Sequence, residues 1–230
     1  MSSTAAPYPA TPRTTPTRAR ERAHYDHATV HAILDSDYIC HLGFVSADGG
    51  PIVLPTTYAR VGSRLYLHGS TGSRPLRGAA EGLRVCVTVT RTDGLVLARS
   101  GMHHSLNYRS VVAHGTAHRV TDPDEHRTAL DAIIDRIVPG RAADCRPATA
   151  KELAQTAVIR LDLREVSAKV RTGGVNDEPE DRDLPTWAGV IPVSRTLGTP
   201  VPDPAMSAET PLPDYLRRLL AEQGLRRGQE

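Results

Sequence analysis

Over much of the chain, apolar and polar residues alternate with a period of two. Val85, Val87 and Val89 are interleaved with Cys86, Thr88 and Thr90, and Ile159, Leu161 and Leu163 with Arg160, Asp162 and Arg164. Val166, Ala168 and Val170 alternate in the same way with Ser167, Lys169 and Arg171. Alternation of this kind turns one face of a strand to a core and the other to solvent. Residues 38–47, 52–60 and 64–68 are β-rich runs separated by Asp48-Gly49-Gly50 and Gly62-Ser63, which predicts an antiparallel meander. Thr92-Asp93-Gly94 predicts a hairpin turn into residues 95–98, and residues 108–120 read as a further strand. The total is about seven or eight strands, closely spaced, which favours a small β-barrel over a parallel βαβ sheet.

The period changes to that of a helix in a few places. Val30, Ile33 and Leu34 predict a short helix over residues 29–35. A longer helix is signalled by Asp122 as cap, Pro123 at the first position, Glu125 completing a capping-box pattern, and a stripe of Leu130, Ile133, Ile134 and Ile137 ahead of Pro139-Gly140. A last amphipathic helix over residues 213–224 carries Leu216, Leu219 and Leu220. The organisation is then a polar, Pro-punctuated tail over residues 1–21, flexible or docking as an arm and excluded from the core, followed by one domain over 22–195. A Pro-rich linker and the final helix occupy 196–230.

Composition narrows the class. The chain has 230 residues, 39% hydrophobic and 23% charged, which is globular composition. There is no run near the roughly 20 apolar residues of a membrane span and no apolar leader, so the expectation is a cytoplasmic protein with no membrane partner. A net charge of +2 without basic-aromatic clusters argues against a nucleic-acid partner. Cys40, Cys86 and Cys145 are too few and too scattered for a disulfide framework or thiolate zinc site, and Cys40 and Cys86 read as packing residues.

The most suggestive chemistry is Gly69-Ser70-Thr71-Gly72-Ser73-Arg74, which leaves a strand and enters a helix start at Pro75. Glycine-permitted backbone amides, hydroxyls and a guanidinium beside a helix terminus suit a phosphate. An ordinary Ser/Gly turn explains the same residues equally well. Neither a Walker loop nor a G-x-G-x-x-G fingerprint is present. Among the ten histidines, His114 and His118 share a strand face but stand about 13 Å apart, too far to chelate one ion. His24, His27 and His31 share a helical spacing without an acidic partner and read as solvated, while His103 and His104 read as loop hydrogen-bonding residues. No nucleophile elbow, Cys/His pair or carboxylate dyad suggests hydrolysis. Trp187, the only tryptophan, would either stack on a planar cofactor or plug the barrel.

Three stretches together resemble the pyridoxamine 5'-phosphate oxidase-like flavoproteins, and within them the nitroimidazole-resistance (Nim-type) branch. They are Leu65-Tyr66-Leu67-His68-Gly69-Ser70 with Ser73-Arg74, then His103-His104-Ser105-Leu106-Asn107-Tyr108-Arg109-Ser110, and Lys169-Val170-Arg171-Thr172-Gly173-Gly174 leading to Trp187-Ala188-Gly189-Val190. The resemblance implies a mainly β protein with a few α-helices: an FMN-binding split β-barrel, homodimeric, with the cofactor at the subunit interface. By position, Ser73 and Arg74 match the segment holding the FMN phosphate, and His68, Gly69 and Ser70 the flavin edge. His68 also matches the histidine that faces flavin and ligand, making it the candidate catalytic residue. Tyr108, Arg109 and Ser110 match a strand lining the ribityl chain or phosphate from one subunit, and Trp187 an aromatic near the flavin from the other. The implied activity is FMN-dependent oxidation or reduction of a small organic molecule, nitro-group reduction included. The alternatives are a non-turnover flavin- or haem-binding protein and a deazaflavin-coenzyme reductase. The Arg-x-His segment that reads pyridoxal phosphate in the oxidase proper has no counterpart after Trp187, which argues against vitamin B6 oxidation.

Overall fold

The computed structural model describes residues 6–73, 76, 79–207 and 209–227, with 223–227 described without side chains. Nine strands are present among them: β1 (Ala23–His24), β2 (Ile39–Val45), β3 (Pro51–Val61), β4 (Arg64–Ser70), β5 (Leu83–Leu97), β6 (Ser105–Arg119), β7 (Thr156–Asp162), β8 (Glu165–Arg171) and β9 (Gly189–Pro192). They pair in the order β1-β8-β6-β7-β4-β3-β2-β5-β9, and β5 also pairs with β6. That extra pairing closes a ring of β2, β3, β4, β7, β6 and β5, antiparallel throughout. The mainly β barrel is therefore as expected. β6 changes partner along its length, pairing with β7 at His118 and Arg119 but with β8 from Tyr108 to His114.

The alternating apolar residues fill the ring. Leu65, Leu67, Val87, Val89, Val111, Ile159 and Leu161 are all at most 1% exposed, each side chain stabilising the fold by about 1.5–3 kcal/mol through burial. The helix α1 (His27–Leu34) is capped by Asp26, whose carboxylate accepts from the Thr29 amide, and places Val30, Ile33 and Leu34 in the same core. A second cluster lies outside the ring, where α2 (Pro123–Ile137) covers Ala59, Tyr66 and Val158. The face that α2 buries is centred on Ala129 and Ile133, and Ile137 from the expected stripe is 48% exposed. The Asp122 cap forms as expected, accepting from the amides of Asp124 and Glu125. Glu125 does not complete a capping box. Its carboxylate instead accepts from the Tyr66 hydroxyl at 2.7 Å and from Arg160, which fastens the helix to the barrel.

Three other expectations are corrected. The hairpin at Thr92-Asp93-Gly94 does not form: β5 runs through it, paired with β6 from Leu83 to Val96, and the extra residue is absorbed as a bulge between Thr92 and Gly94. Residues 189–192, unassigned by their pattern, form β9 against β5. The N-terminal segment is not outside the core: Tyr8 is 6% exposed, stacks on His27 with ring centroids 4.1 Å apart, and has its hydroxyl 2.8 Å from His31 Nε2. Thr14 is buried too, and Arg13 pairs with Glu165. One aromatic in a polar segment is enough to dock it, and it converts His27 and His31 from solvated residues into packed ones. Between α2 and β7, α3 (Arg141–Asp144) and α4 (Ala150–Gln155) are short; past the domain, α5 (Asp214–Arg227) docks on the chain itself, with the Tyr215 hydroxyl donating to Asp144 Oδ2 at 2.7 Å. No helix among the described residues is long and apolar enough to cross a membrane.

Candidate functional site

β3 and β4 are joined by the turn at Gly62-Ser63 and pair only from Tyr58 to Val61 against Leu67 to Arg64. Beyond that point the two strands part. β3 from Pro51 to Thr57 pairs with β2 on one side only, while β4 from His68 to Ser70 stays paired to β7. The barrel wall is thus split, with a strand edge bearing free backbone groups on one lip and His68, Gly69 and Ser70 on the other. Pro51 and Pro55 could have signalled this, because a proline in a strand needs its missing N–H to face away from a partner. Leu54, Pro55, Thr56 and Thr57, on the β3 lip, are further candidate site residues that no local sequence pattern marks as such.

His68 lies on the outer face of β4, alternating with the core residues Leu65 and Leu67. It is half-buried, and its Nδ1 is fully enclosed with no hydrogen-bond partner among the described residues. Burial lowers its pKa below the ordinary histidine value, so the imidazole is held neutral. Gly69 faces inward, where an added Cβ would stand 2.7 Å from Leu76 Cδ1, so glycine is needed there for space. The turn after β4 differs from the expected amide cradle. The Thr71 amide donates to the Gln155 carbonyl, the Gly72 amide to Ser70 Oγ, and the Ser73 amide to the Ser70 carbonyl. With those amides engaged, the anion donors left among the described residues of the turn are the Thr71 and Ser73 hydroxyls. Arg74 and Pro75 lie outside the described residues.

The other expected site residues are not gathered here within one chain. Arg109 forms a bidentate pair with Asp93, the bulged residue of β5, at 2.8 and 2.9 Å. Tyr108 and Ser110 point the opposite way, onto the outer face of β6, where the Ser110 hydroxyl donates to the Lys169 carbonyl at 3.4 Å. Trp187 does not plug the barrel: it is 64% exposed, with its ring lying over Gly189. His103 lies 3.7 Å from Glu178 and His104 Nδ1 lies 3.0 Å from the Ser100 carbonyl, which are loop contacts. Cys40 is fully buried, and desolvation pushes its thiol up to about 12, so it packs as a hydrophobe. No group of three or more His, Cys, Asp or Glu side chains is placed to hold a metal ion among the described residues.

The uncovered outer face of β2 and β3 carries Ile39, Val45 and Val53, which are 48%, 63% and 63% exposed. Register places Gly43 opposite Val53 and Cys86, so this face continues across β5. It is apolar at those three positions and adjacent to the split at Thr57.

A family model described as pyridoxamine 5'-phosphate oxidase matches residues 26–170. No curated protein matches the chain. Among solved structures, the flavocytochrome Anf3 of Azotobacter vinelandii is 38% identical over 90% of this chain and 96% of its own, with a TM-score of 0.84. The FAD and heme binding protein of Mycobacterium smegmatis is 39% identical over 86% of this chain and 96% of its own, with a TM-score of 0.81. A candidate 5-nitroimidazole antibiotic resistance protein of Bacteroides thetaiotaomicron shares the fold at 21% identity, over 64% of this chain and 86% of its own, with a TM-score of 0.54.

Proposed function

The chain belongs to the pyridoxamine 5'-phosphate oxidase family, and on that footing we propose that it is a homodimeric flavin-binding redox protein. The flavin would lie along the split between β3 and β4. The observation that carries this reading is the enclosed Nδ1 of His68 at the mouth of the split, which has no partner among the described residues and is a buried polar atom for a ligand to satisfy. The one-sided edge of β3 would offer backbone donors and acceptors to a planar heterocycle, and the Thr71 and Ser73 hydroxyls on the turn after β4 would serve a phosphate at that end. FAD is favoured over FMN by the likeness to the Mycobacterium smegmatis protein. A bound flavin would supply hydride and single-electron transfer to a small organic acceptor. The residues of this chain would bind and orient it, exclude water with Leu54 and the β3 wall, and keep a neutral imidazole beside it.

A second reading, that the protein also holds haem, is favoured by the names of the two relatives at 38% and 39% identity. The donor set fits that group as well: an imidazole kept neutral by burial is in the right protonation state to ligate iron. The absorption spectrum after loading with FMN, FAD or haemin and desalting decides between the readings. A two-band flavin spectrum that bleaches with NADH or NADPH under anaerobic conditions supports flavin redox chemistry, and a Soret band adds haem. A chain that stays colourless with all three overturns both, leaving deazaflavin coenzyme as the next addition. His68→Ala is expected to weaken loading of the group that His68 contacts by about 10–100-fold. Unchanged loading of every group in that variant would remove His68 from the site.

The dimer has its own test. Val53→Glu places a charge in the centre of the uncovered apolar face, and sedimentation should then show a monomer where the unmodified chain is a dimer. A dimer that persists would move the interface to another face.

A further inference from the structure

The geometry points to a second ligand site, a receptor for a small organic anion, in an arginine-lined cleft at the opposite end of the barrel from the β4 turn. The cleft has a volume of about 660 Å3, within the usual range for small-molecule sites. It is formed where the C-terminal ends of α1 and α2 meet the bulge of β5 and the segment after β9, with α5 at its edge. Strand register separates it from the β4 turn. Arg109 lies ten residues along β6 from Arg119, which pairs with Ile159 on β7 at the level of Leu67 on β4, so roughly 30 Å of strand lies between the cleft and that level, and the turn after Ser70 is farther still.

Arg91, Arg109, Arg136 and Arg195 all line this cleft. Each is clamped on one side. Asp93 holds Arg109 through Nε and Nη2, and Asp37 holds Arg195 through Nη1 and Nη2 at 3.1 and 2.9 Å. The Asp35 and Asp37 carbonyls hold Arg136, and the Ser36 carbonyl accepts from Arg91 Nη1 at 3.1 Å. The Tyr38 ring centroid lies 5.8 and 6.0 Å from the guanidinium carbons of Arg136 and Arg195. These clamps fix the guanidinium planes and leave Arg91 Nη2, Arg109 Nη1, Arg136 Nη1 and Arg195 Nε without a protein acceptor among the described residues. Donors that are immobilised before a ligand arrives lose little freedom when it binds. Val193, Leu197 and Leu219 supply an apolar wall. A molecule with acidic oxygens at one end and an apolar body at the other fits this combination, whether the acid is a phosphate ester or a dicarboxylate.

The carboxylates at the clamps reduce the net charge of the cleft without occupying the free donors, and Glu222 at the α5 edge makes no ion pair among the described residues. Its removal should therefore tighten anion binding. The experiment is calorimetric titration of the full chain with inorganic pyrophosphate and, separately, with succinate. Saturable binding by one or both is expected, weakened at least tenfold by Arg91→Gln. Because that variant also loses a structural bond to Ser36, Leu219→Glu is the second arm: it adds a negative charge on the helix edge and leaves every clamp in place. It should weaken binding as well, and Glu222→Gln should strengthen it. The absence of saturable binding for both probes overturns the proposal. So does binding whose affinity is unchanged by Leu219→Glu and Glu222→Gln, since the anion would then sit elsewhere, the β4 turn included. Preference for pyrophosphate over succinate identifies a phosphate ester, and the reverse a dicarboxylate.

Discussion

Replacing Asp37 with alanine is expected to lower the unfolding free energy by about 2–3 kcal/mol and the melting temperature by about 5–10 °C. Asp37 is 8% exposed and sits between α1 and β2. Its carboxylate accepts from the Tyr38 amide at 2.7 Å and from both Arg195 Nη atoms, with Arg91 4.0 Å away. Without it, Arg91 loses a nearby counter-charge and the Tyr38 amide an acceptor, while Arg195, half exposed, recovers part of its loss from water. The loss is therefore smaller than that from breaking a fully buried pair. Burial alone would raise the pKa of Asp37, but the hydrogen bonds from Arg195 and the Tyr38 amide outweigh it, and the net shift is downward. A carboxylate whose folded pKa is depressed contributes stability that is fully present above its unfolded value, about 3.9, and lost as pH falls through the folded value. The gap between the unmodified chain and Asp37→Ala should thus be complete at pH 7 and narrow below about pH 4. Asp37→Asn, which keeps an acceptor for the amide but not the charge, should fall between the two. Urea denaturation at both pH values measures this, and an equal gap at each would mean that the carboxylate's charge contributes nothing.

What could be read from the sequence and what could not divides along local and non-local causes. The strands of the barrel are legible because alternation such as Val85, Val87, Val89 is a local pattern, and α2 because Asp122-Pro123 and the apolar spacing are local too. Asp93-Gly94 is local chemistry with two outcomes. A hairpin and a bulge both accept Asp-Gly, and the choice is made by β6, which offers β5 a continuous partner on the far side of the turn. The split in the wall is equally non-local, since it exists only because β3 changes neighbours at Tyr58. His68 stands out as a candidate from the company it keeps in the chain, whereas its enclosed Nδ1 and the β3 lip emerge only from the three-dimensional arrangement. The amides of the 71–73 turn show the reverse error: a glycine-rich loop beside a strand end reads as an open cradle, but Gln155 and Ser70 take those donors from outside and within the turn. The docked N-terminal segment was hidden because its composition is polar on average, and a single residue, Tyr8, decides its position.

Gly115 and Leu161 form a matched pair, and breaking either half should destabilise the barrel strongly. Leu161, on β7, is 1% exposed. Gly115, on β6, faces it so closely that a Cβ built there would lie 2.6 Å from Leu161 Cδ1. The glycine is a steric device: its missing side chain is the space that a leucine from the neighbouring strand fills. Leu161→Ala should cost about 3–4 kcal/mol, through lost burial together with a cavity that a closed ring of strands relaxes into only partly. Gly115→Ala should cost about 1–3 kcal/mol by forcing the leucine out of its rotamer or the strands apart. In the double variant the new methyl group enters the space that the leucine has vacated. Its cost should therefore fall short of the sum of the two single costs by about 1 kcal/mol or more. Chemical denaturation of the four proteins yields that coupling directly. Additive costs would show that the two residues do not share the space, and that β6 and β7 meet less closely at this level of the barrel.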